Sequence, residues 1–523
     1  MEVSTLLLGF ISHYVLSYCL FALCVLFKVH MWARVIRLQK SSLSQVPGPR
    51  LAKWTRLWIA KALSTGRSHE VWTETNAKYG RLARIGPKHV ITDDPAITRR
   101  ILAARSGYER GPAFDSLRMD PMIPNIISER DGKKHSLIRA MVAPSFTGRS
   151  IPVIESIMDE QILVWVESLQ RSSSQVIDIG QKIQFLTVDI ITRLCLGDAV
   201  GCIRNNRDMY GLLQTVETGN LVVQYLSVFT ELNTLLFSLS RIPVLRKALF
   251  PNVTNSRGVG RLMGLVHEVA KKRPLLHDGD DDLVSALLER GMPAEQIDSE
   301  VIVALAGGSD TTSTSVQSTL LCIATNPRVY ATLRSEIRTA LREGKISRPI
   351  RDAEAKQLVY LQAVVLEGLR KHPPLSQLRE RVVPAGGDSL GGYHLPAGTL
   401  VGLNGWGTQL KTEIYGDDAA LFRPERWLTG DEERLRKMHA CHSLIFGHGA
   451  TKCLGVAMAM MEIPKVVFEL LRNFDVSVAD PHRPWTSRCY GIFHQKGFRV
   501  VLRPVDEEVE PPAYEPAAQA LIV

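Results

Sequence analysis

Several features that would place this chain in a common functional class are missing from its sequence. None of its eight cysteines belongs to a C-x-x-C pair, and they are scattered, which argues against the disulfide scaffold of a secreted protein. No G-x-G-x-x-G fingerprint occurs, so the chain is not expected to bind a dinucleotide of its own. Zinc-finger spacings and dense Lys/Arg tracts are also missing, which disfavours nucleic acid as a partner although the net charge is +10.

Charged residues are missing from the first long apolar stretch. Residues 3–27 contain no Asp, Glu, Lys or Arg, and a helix of about 20 residues is long enough to cross a bilayer. Glu2 stands where a signal peptide would carry a basic residue, and no A-x-A-like cleavage site follows. We therefore expect an uncleaved single-pass anchor over residues 1–27. The bulk of the protein should lie on the cytosolic side, because four basic residues follow the stretch closely: Lys28, Arg34, Arg37 and Lys40.

The remainder of the chain divides into a linker, one body and a tail. Residues 28–49 form a basic, proline-rich linker that includes the stiff V-P-G-P segment. No convincing linker interrupts residues 50–504, so we assign them to a single domain. Residues 505–523 begin acidic and proline-rich, and we predict that they are disordered.

Hydrophobic spacing predicts a mainly α fold with a minor β region. Residues 81–93 alternate around a Gly-Pro turn and predict a hairpin, and similar strand–turn–strand patterns occur at 389–403 and 488–504. A last amphipathic helix is predicted at about 454–474. Apolar residues also recur at helical spacing in 134–144, 153–170, 180–196, 258–272, 297–326 and 354–371.

One cysteine stands in a glycine-rich loop before the last predicted helix, in FGHGATKCLG at residues 446–455. Cys453 is either a small buried residue at a turn or a residue that presents its sulfur to a ligand. Gly447, Gly449 and Gly455 would let the backbone approach a flat ligand, and the start of a helix would lower the pKa of the thiol. A single sulfur does not make a zinc site. The pattern alone leaves both explanations open.

A second stretch, residues 301–323, admits two structures. Standard helix rules would end one helix at Gly307-Gly308 and would use a following polar residue to cap the next helix. Alternatively, one long helix runs through, and Thr311 diverts a backbone hydrogen bond. In that case an acid–alcohol pair, Asp310 and Thr311, borders a groove that could hold a small polar ligand.

A third group of charges is spread over two segments. Glu367 and Arg370 lie three residues apart in YLQAVVLEGLRKHPP, a helical segment whose apolar surroundings predict that the pair is buried. Because a buried ion pair needs further partners, we expect Arg426 of LFRPERWL to complete a Glu367–Arg370–Arg426 network.

Together these stretches resemble the cytochrome P-450 family in type, order and spacing. The resemblance covers about residues 46–504 and is strongest to the fungal pisatin-demethylase-like branch, in stretches such as RIGPKHVITDDP and YGIFHQKGF. The matching blocks are F-x-x-G-x-x-x-C-x-G around Cys453, G-G-S-D-T-T, E-x-x-R at 367–370, P-E-R at 424–426, and H-x-x-x-R from His135 to Arg139.

The resemblance implies a haem b cofactor with Cys453 as the axial ligand of the iron. A thiolate ligand donates electron density to the iron and favours cleavage of the O–O bond. Asp310 and Thr311 are implied to relay the protons that this cleavage needs. The other residues that the resemblance assigns to haem are His135, Arg139 and Arg381, for the propionates, and Phe446, Gly449 and Gly455, in the cysteine loop.

The implied activity is that of a membrane-anchored monooxygenase in fungal secondary metabolism. It would insert one atom of O2 into a lipophilic small molecule, with electrons from NADPH through a separate reductase. The protein would lie in the endoplasmic reticulum membrane and face the cytosol. Two alternatives stay open: a haem-thiolate isomerase, dehydratase or peroxide-using enzyme, and a non-catalytic haem-binding sensor on the membrane. The expected pocket walls include Phe114, Leu117, Met119, Met122, Leu375, Leu378 and Phe493.

One position departs from the family pattern. Two residues before the cysteine the family usually has Arg or His, whereas this chain has Thr451. A hydroxyl can form a hydrogen bond with a propionate but cannot cancel its charge. Taken alone, this departure predicts slightly weaker haem retention, which Thr451→Arg would restore.

Overall fold

The computed structural model describes most of the chain beyond its N-terminal segment. The predicted anchor at 1–27, most of the predicted linker and the tail from residue 506 lie outside the described residues, which are 42–172, 175–272, 282–344 and 346–505. Within those ranges, no single helix combines the length and the hydrophobicity needed to cross a bilayer. The helical segments Met209–Val228 and Thr230–Leu239 meet these requirements only as a pair, and the chain bends by 107° between them.

Helices dominate the described residues, which confirms the predicted fold class. Twenty α-helices occur in this part of the chain, joined by loops and short 3-10 turns. They are α1 (Leu57–Ser64), α2 (Ser68–Tyr79), α3 (Pro95–Leu102), α4 (Gly132–Val142), α5 (Ile151–Gln170), α6 (Ile179–Leu196), α7 (Cys202–Asn205), α8 (Leu212–Val228), α9 (Thr230–Leu239), α10 (Pro243–Leu249), α11 (Gly258–Lys272), α12 (Leu283–Glu289), α13 (Ala294–Ala324), α14 (Pro327–Arg342), α15 (Asp352–Ala355), α16 (Val359–Lys371), α17 (Gly405–Thr408), α18 (Thr412–Tyr415), α19 (Glu432–His442) and α20 (Val456–Asn473).

Short strands form four small sheets in the described part of the chain. The strands are β1 (Leu82–Arg84), β2 (His89–Thr92), β3 (Glu109–Arg110), β4 (Val176–Asp178), β5 (Arg381–Val382), β6 (Asp388–Leu390), β7 (Tyr393–Leu395), β8 (Leu400–Leu403), β9 (Phe474–Val478), β10 (Thr486–Cys489), β11 (Phe493–Lys496) and β12 (Arg499–Pro504). The largest sheet has the order β1-β2-β8-β5-β3, and a three-stranded sheet has the order β4-β12-β9. The pairs β6-β7 and β10-β11 form separate two-stranded sheets.

Most of the predicted elements agree with the structure. The hairpin predicted at 81–93 is confirmed, since β1 and β2 pair antiparallel with Ala83 opposite Ile91. The helix predicted at 354–371 is wrong as a single element, because α15 and α16 are separated by the segment 356–358. The last helix begins at Val456, slightly later than predicted.

The long helix α13 runs through the largest hydrophobic core and packs against α6, α11, α16 and α20. It is continuous through Gly307-Gly308, which confirms the second of the two structures that the sequence left open. The Thr311 hydroxyl donates a hydrogen bond to the carbonyl of Gly307 at 2.6 Å. A Cβ atom on Gly308 would lie 2.7 Å from the Cδ1 atom of Ile191. Glycine at 308 therefore lets α13 approach α6 closely at the acid–alcohol pair.

The predicted network of Glu367, Arg370 and Arg426 forms in a buried position between α16 and the 3-10 turn Pro424–Leu428. Arg370 donates from Nη2 and Nε to the two carboxylate oxygens of Glu367, at 2.7 and 2.8 Å. Arg426 Nε donates to Glu367 Oε1 at 2.9 Å, and Trp427 Nε1 donates to Oε2 at 2.9 Å. Burial alone would raise the pKa of Glu367, but the hydrogen bonds and charges of the two arginines outweigh it and hold the pKa below its ordinary value.

We expect Glu367→Gln to destabilise the protein by about 3–5 kcal/mol, because two guanidinium groups would stay buried without a counter-charge. Urea unfolding of the purified protein would measure this loss. The control is Glu433→Gln, which removes the exposed pair with Lys437 and should leave the unfolding midpoint nearly unchanged. Equal midpoints for the two variants would show that the network does not stabilise the fold.

Candidate active site and cofactor site

The cysteine loop lies between α19 and α20 and is closed by its own backbone. The N–H of Cys453 donates to the carbonyl of Phe446 at 2.8 Å. Gly447 and Gly449 both have left-handed φ angles, 77° and 61°. A Cβ atom on Gly449 would lie 2.1 Å from the carbonyl oxygen of Leu102, at the end of α3. The close packing of the loop against the end of α3 therefore requires glycine at 449, whether or not a ligand approaches the loop.

Cys453 is exposed to solvent, yet the surrounding protein atoms partly remove water from its thiol. This burial raises the pKa of the thiol above its ordinary value. The backbone N–H of Gly455 and the charges of Arg139, Arg379 and Lys452 oppose that effect without reversing it. The N–H at the start of α20 therefore acts on the pKa in the predicted direction, but burial outweighs it. Cys453 is the exposed cysteine among those in the described residues.

Four arginines and one histidine gather beside the cysteine loop from separate elements. His135 and Arg139 come from α4, whose first turn is capped by the carboxylate of Asp131. Arg381 begins β5 and pairs across the strands with Arg110 of β3. The fourth arginine is Arg379, which lies just before β5.

The members of this cluster touch one another and the cysteine loop. Arg110 Nη2 donates to His135 Nε2 at 3.2 Å, and Arg381 Nη2 donates to the hydroxyl of Thr451 at 3.1 Å. The guanidinium groups of Arg110 and Arg381 lie 5.3 and 5.1 Å from the ring centre of Phe114. Arg379 and Arg139 are close enough to Cys453 for their charges to affect the pKa of its thiol.

The positive charge of the cluster is only partly offset by acids, since the charge of Glu129 acts on Arg110 and that of Glu380 acts on Arg381. Within the described ranges, no carboxylate forms an ion pair with any of the four arginines, which are Arg110, Arg139, Arg379 and Arg381. Burial, reinforced by neighbouring arginines, lowers the pKa of Arg110 to about 10 and that of Arg381 to about 9. Burial and the nearby arginines also lower the pKa of His135 to about 4, so His135 is neutral at pH 7.

These observations test whether haem would fit the site. The Nε atoms of Arg110 and Arg379 are buried without a hydrogen-bond partner. Orphaned donors and unbalanced cations are costly unless an anionic acceptor completes them. The two propionates of haem are such acceptors, and the sulfur of Cys453, a soft metal ligand, lies near Arg139 and Arg379. The residues present therefore fit thiolate-ligated haem.

Asp310 and Thr311 occupy adjacent positions on α13, as predicted. Asp310 is half-buried, and burial together with the like charge of Glu217 raises its pKa to about 6. The Thr311 hydroxyl uses its proton in the bond to Gly307, which leaves its oxygen free to accept another hydrogen bond. The pair thus combines a carboxyl that titrates near neutral pH with a hydroxyl acceptor.

The predicted pocket walls fall into different environments. Phe114, Leu117 and Leu378 line a common cavity of about 50 Å³. Met122 is exposed and borders a separate outer groove of about 560 Å³ that also includes Asp120 and Arg246. Phe493 is buried against the rings of His69 and Trp406, with centroid distances of 4.8 and 5.4 Å. The prediction that these seven residues form one apolar wall is therefore not supported for Met122 or Phe493.

Two cluster members were not found by sequence reasoning. Arg379 lies two residues before Arg381 in LRERVV, and this spacing could have indicated it. Arg110 stands alone in YERGP, and no local motif indicates it. Its place in the site follows only from the pairing of β3 with β5.

Comparisons with known proteins agree with this site. A family model described as Cytochrome P450 matches residues 46–501. Cytochrome P450 monooxygenase aba1 of Botryotinia fuckeliana is 34% identical over 469 residues, which cover 88% of this chain and 91% of that protein. Pisatin demethylase of Fusarium vanettenii is 30% identical over 476 residues, which cover 89% of each chain. Cytochrome P450 monooxygenase ABA1 of Pyricularia oryzae is 33% identical, with 86% and 90% covered.

The titration of Asp310 predicts a pH-dependent effect on stability. Its pKa in the folded protein, about 6, lies above the ordinary value of 3.8, so its favourable contribution is present at low pH and is lost as pH rises through 6. Asp310→Asn should remove this loss and stabilise the protein near neutral pH by about 1–2 kcal/mol, after allowance for partial solvent access.

Urea unfolding of the variant and the wild type at neutral and at mildly acidic pH would measure this effect. The stabilisation should decrease as pH falls from 6 to 3.8, below which the wild-type carboxyl is protonated in both the folded and the unfolded protein. Asp417→Asn, at an exposed position, serves as the control. A gain that does not change with pH would contradict the assignment.

Proposed function

This chain belongs to the cytochrome P450 family and is a haem-dependent monooxygenase, and from that premise we propose which residues hold the cofactor and what it oxidises. The single observation that carries the proposal is the exposed Cys453 in a loop that contacts an arginine cluster, in which no arginine forms an ion pair with a carboxylate of the described residues. We propose that Cys453 ligates the iron of haem b. We also propose that the substrate is a lipophilic small molecule of fungal secondary metabolism, as its monooxygenase relatives suggest.

Residues from three elements would hold the cofactor. His135 and Arg139 of α4 and Arg381 of β5 would bind the propionates, and Phe446, Gly449 and Gly455 would shape the loop around the sulfur. When bound, thiolate-ligated haem supplies the activation of O2 and the transfer of one oxygen atom to the substrate. Burial of the surrounding arginines strengthens their attraction for an anion, because little water screens it.

Asp310 and Thr311 would move protons into the site. With a pKa of about 6, the carboxyl of Asp310 exists in both protonation states near neutral pH, so it can take up a proton from solvent and release it. The oxygen of Thr311 would accept a hydrogen bond from a water or a ligand, since its own proton is held by Gly307. This intact acid–alcohol pair favours the route through O2 over an isomerase, a dehydratase or a peroxide-using enzyme.

Electrons would come from NADPH through a separate reductase. The absence of a dinucleotide fingerprint from the full sequence supports this assignment. The net charge of +10 would favour docking of an acidic partner, and the exposed Lys452 lies next to Cys453.

The surface near the start of the described chain supports attachment to a membrane. Leu51, Trp54 and Leu57 are exposed shortly after the predicted anchor. Arg56 binds Glu231 at 2.6 Å, which places this segment beside the equally exposed Leu232. Contiguous exposed apolar residues of this kind mark interaction surfaces. We propose a single-pass protein of the endoplasmic reticulum membrane with its catalytic domain in the cytosol.

The test of the proposed ligand is the carbon monoxide spectrum of the reduced protein. The wild type should show the spectrum of a thiolate-ligated haem, and Cys453→Ser should abolish it because a hydroxyl is a poor ligand for haem iron. Cys322→Ser is the control, since Cys322 is a partly buried cysteine on α13 outside the loop. A thiolate spectrum in Cys453→Ser would refute the assignment.

A metabolite comparison tests the substrate class. A strain that lacks the gene should accumulate a lipophilic precursor, and its oxygenated product should be missing. The purified protein should convert this precursor only with NADPH and a reductase. A thiolate spectrum without turnover of any accumulated compound would instead favour the non-catalytic sensor.

A further inference from the structure

We propose that Glu300 and Gln296 of α13 are positioning residues for the wall of the substrate pocket. They hold the loop at residues 117–126, here called the wall segment, in one shape, and this shape selects the ligands that fit beside the haem. The inference rests on the proposed function of the site, and it assigns a role in ligand selection to two residues outside the family motifs.

The wall segment borders both cavities of the candidate site. Leu117 lines the small cavity together with Phe114 and Arg379, whereas Met122 and Ile123 border the outer groove. The segment follows the 3-10 turn that ends at Leu117, and it contains no helix or strand. Its shape therefore depends on the bonds that it forms with other elements.

Two side chains on one face of α13 supply such bonds. Glu300 Oε2 accepts a hydrogen bond from the backbone N–H of Ile126 at 3.0 Å. Gln296 Nε2 donates to the carbonyl of Pro124 at 2.9 Å and to Glu300 Oε1 at 2.6 Å. Positions 296 and 300 are about one helical turn apart, so the two side chains lie on the same face and act as one clamp.

The position of Glu300 suits a carboxylate better than an amide. Two donors converge on it, and a carboxylate has an acceptor on each oxygen, whereas a glutamine would turn its own NH2 group toward one of the donors. The side chain is 2% exposed, and burial raises its pKa to about 7 although both hydrogen bonds oppose this effect. A buried acid of this kind lowers stability, and such groups concentrate at functional sites.

The inner end of the wall segment also contacts the arginine cluster. Arg110 Nη1 donates to the carbonyl of Ile126 at 2.9 Å, so Ile126 is held between the cluster and the helix that carries Asp310. The outer part of the segment is joined to α10 by the ion pair of Asp120 with Arg246, which is 45% exposed. An exposed pair contributes little to stability, so the inner bonds contribute most to fixing the segment.

The test compares two ligands that bind haem iron through an imidazole nitrogen. Imidazole reports on the iron alone, whereas 4-phenylimidazole carries a ring that must also fit the pocket wall. Absorbance titration of the ferric holoprotein gives both dissociation constants. Glu300→Leu should weaken 4-phenylimidazole binding about 10-fold, because the loosened segment must be ordered when the ligand binds. The dissociation constant of imidazole should stay within about 2-fold of the wild-type value.

Further variants test whether the two residues act together. Glu300→Gln should lie between Glu300→Leu and the wild type, since it keeps an acceptor for one donor. Gln296→Leu should resemble Glu300→Leu, and the double variant should bind 4-phenylimidazole no worse than either single variant, because all of them remove the same clamp. Amide hydrogen exchange over residues 117–126 should be faster in each leucine variant.

Two controls separate positioning from general stability. Leu320→Ala removes buried core contacts about 30 Å further along α13, so it should lower stability and leave the ratio of the two dissociation constants unchanged. Glu289→Leu makes the same substitution at an exposed acid of α12 and should match the wild type.

An unchanged ratio in a folded Glu300→Leu variant would overturn the inference, and so would an equal change of the ratio in Leu320→Ala. Where Glu300→Leu does not fold, Gln296→Leu decides the matter by the same measurement. A wild-type protein without a thiolate-type carbonyl spectrum would overturn the proposed function itself. An unchanged ratio in a protein that shows this spectrum contradicts the inference alone, so the two failures are distinguishable.

Discussion

The site depends on positive charge that the protein offsets only in part. A helix and two paired strands bring together Arg110, Arg139, Arg379 and Arg381, and none of them forms an ion pair with a carboxylate of the described residues. Burying such groups lowers the stability of the free protein, because the hydration that they lose is not replaced. The arrangement becomes favourable only when an anion binds beside these arginines. The fold therefore places the charges that attract the cofactor before the cofactor binds.

A second buried cluster in the same protein shows the opposite arrangement. The carboxylate of Glu367 receives hydrogen bonds from Arg370, Arg426 and Trp427, so its acceptors are filled, and carbonyls complete the arginines. That network needs no ligand, and it joins α16 to the segment that precedes the cysteine loop. The comparison distinguishes charged side chains that stabilise the fold from charged side chains that bind a ligand. A balanced cluster holds the fold together, whereas an unbalanced one indicates a partner outside the chain.

The parts of the site that could be predicted from sequence are those encoded within one short segment. Three features are each encoded by a few consecutive residues, and each lies where its motif indicates. They are the cysteine loop, the acid–alcohol pair of α13 and the E-x-x-R pair. Arg110 could not be predicted, because strand pairing alone brings it to Arg381. The raised pKa of the Cys453 thiol could not be predicted, because the helix start is a local feature whereas burial depends on the whole fold. For residues 301–323 the sequence left two structures open, and the close packing of Gly308 against Ile191 favours the continuous helix.

The acid–alcohol pair shows the same relation between stability and function as the arginine cluster. Burial and the nearby charge of Glu217 disfavour the ionised form of Asp310. For stability alone, an uncharged asparagine would suit the position better, yet the chain has a carboxyl there. The cost is confined to one side of α13, whose other faces pack in the largest core and keep the helix intact. A rigid helix can carry a destabilised carboxyl because its other contacts fix the backbone. The unfavourable carboxyl of Asp310 therefore lies on a helix that the largest core holds in place.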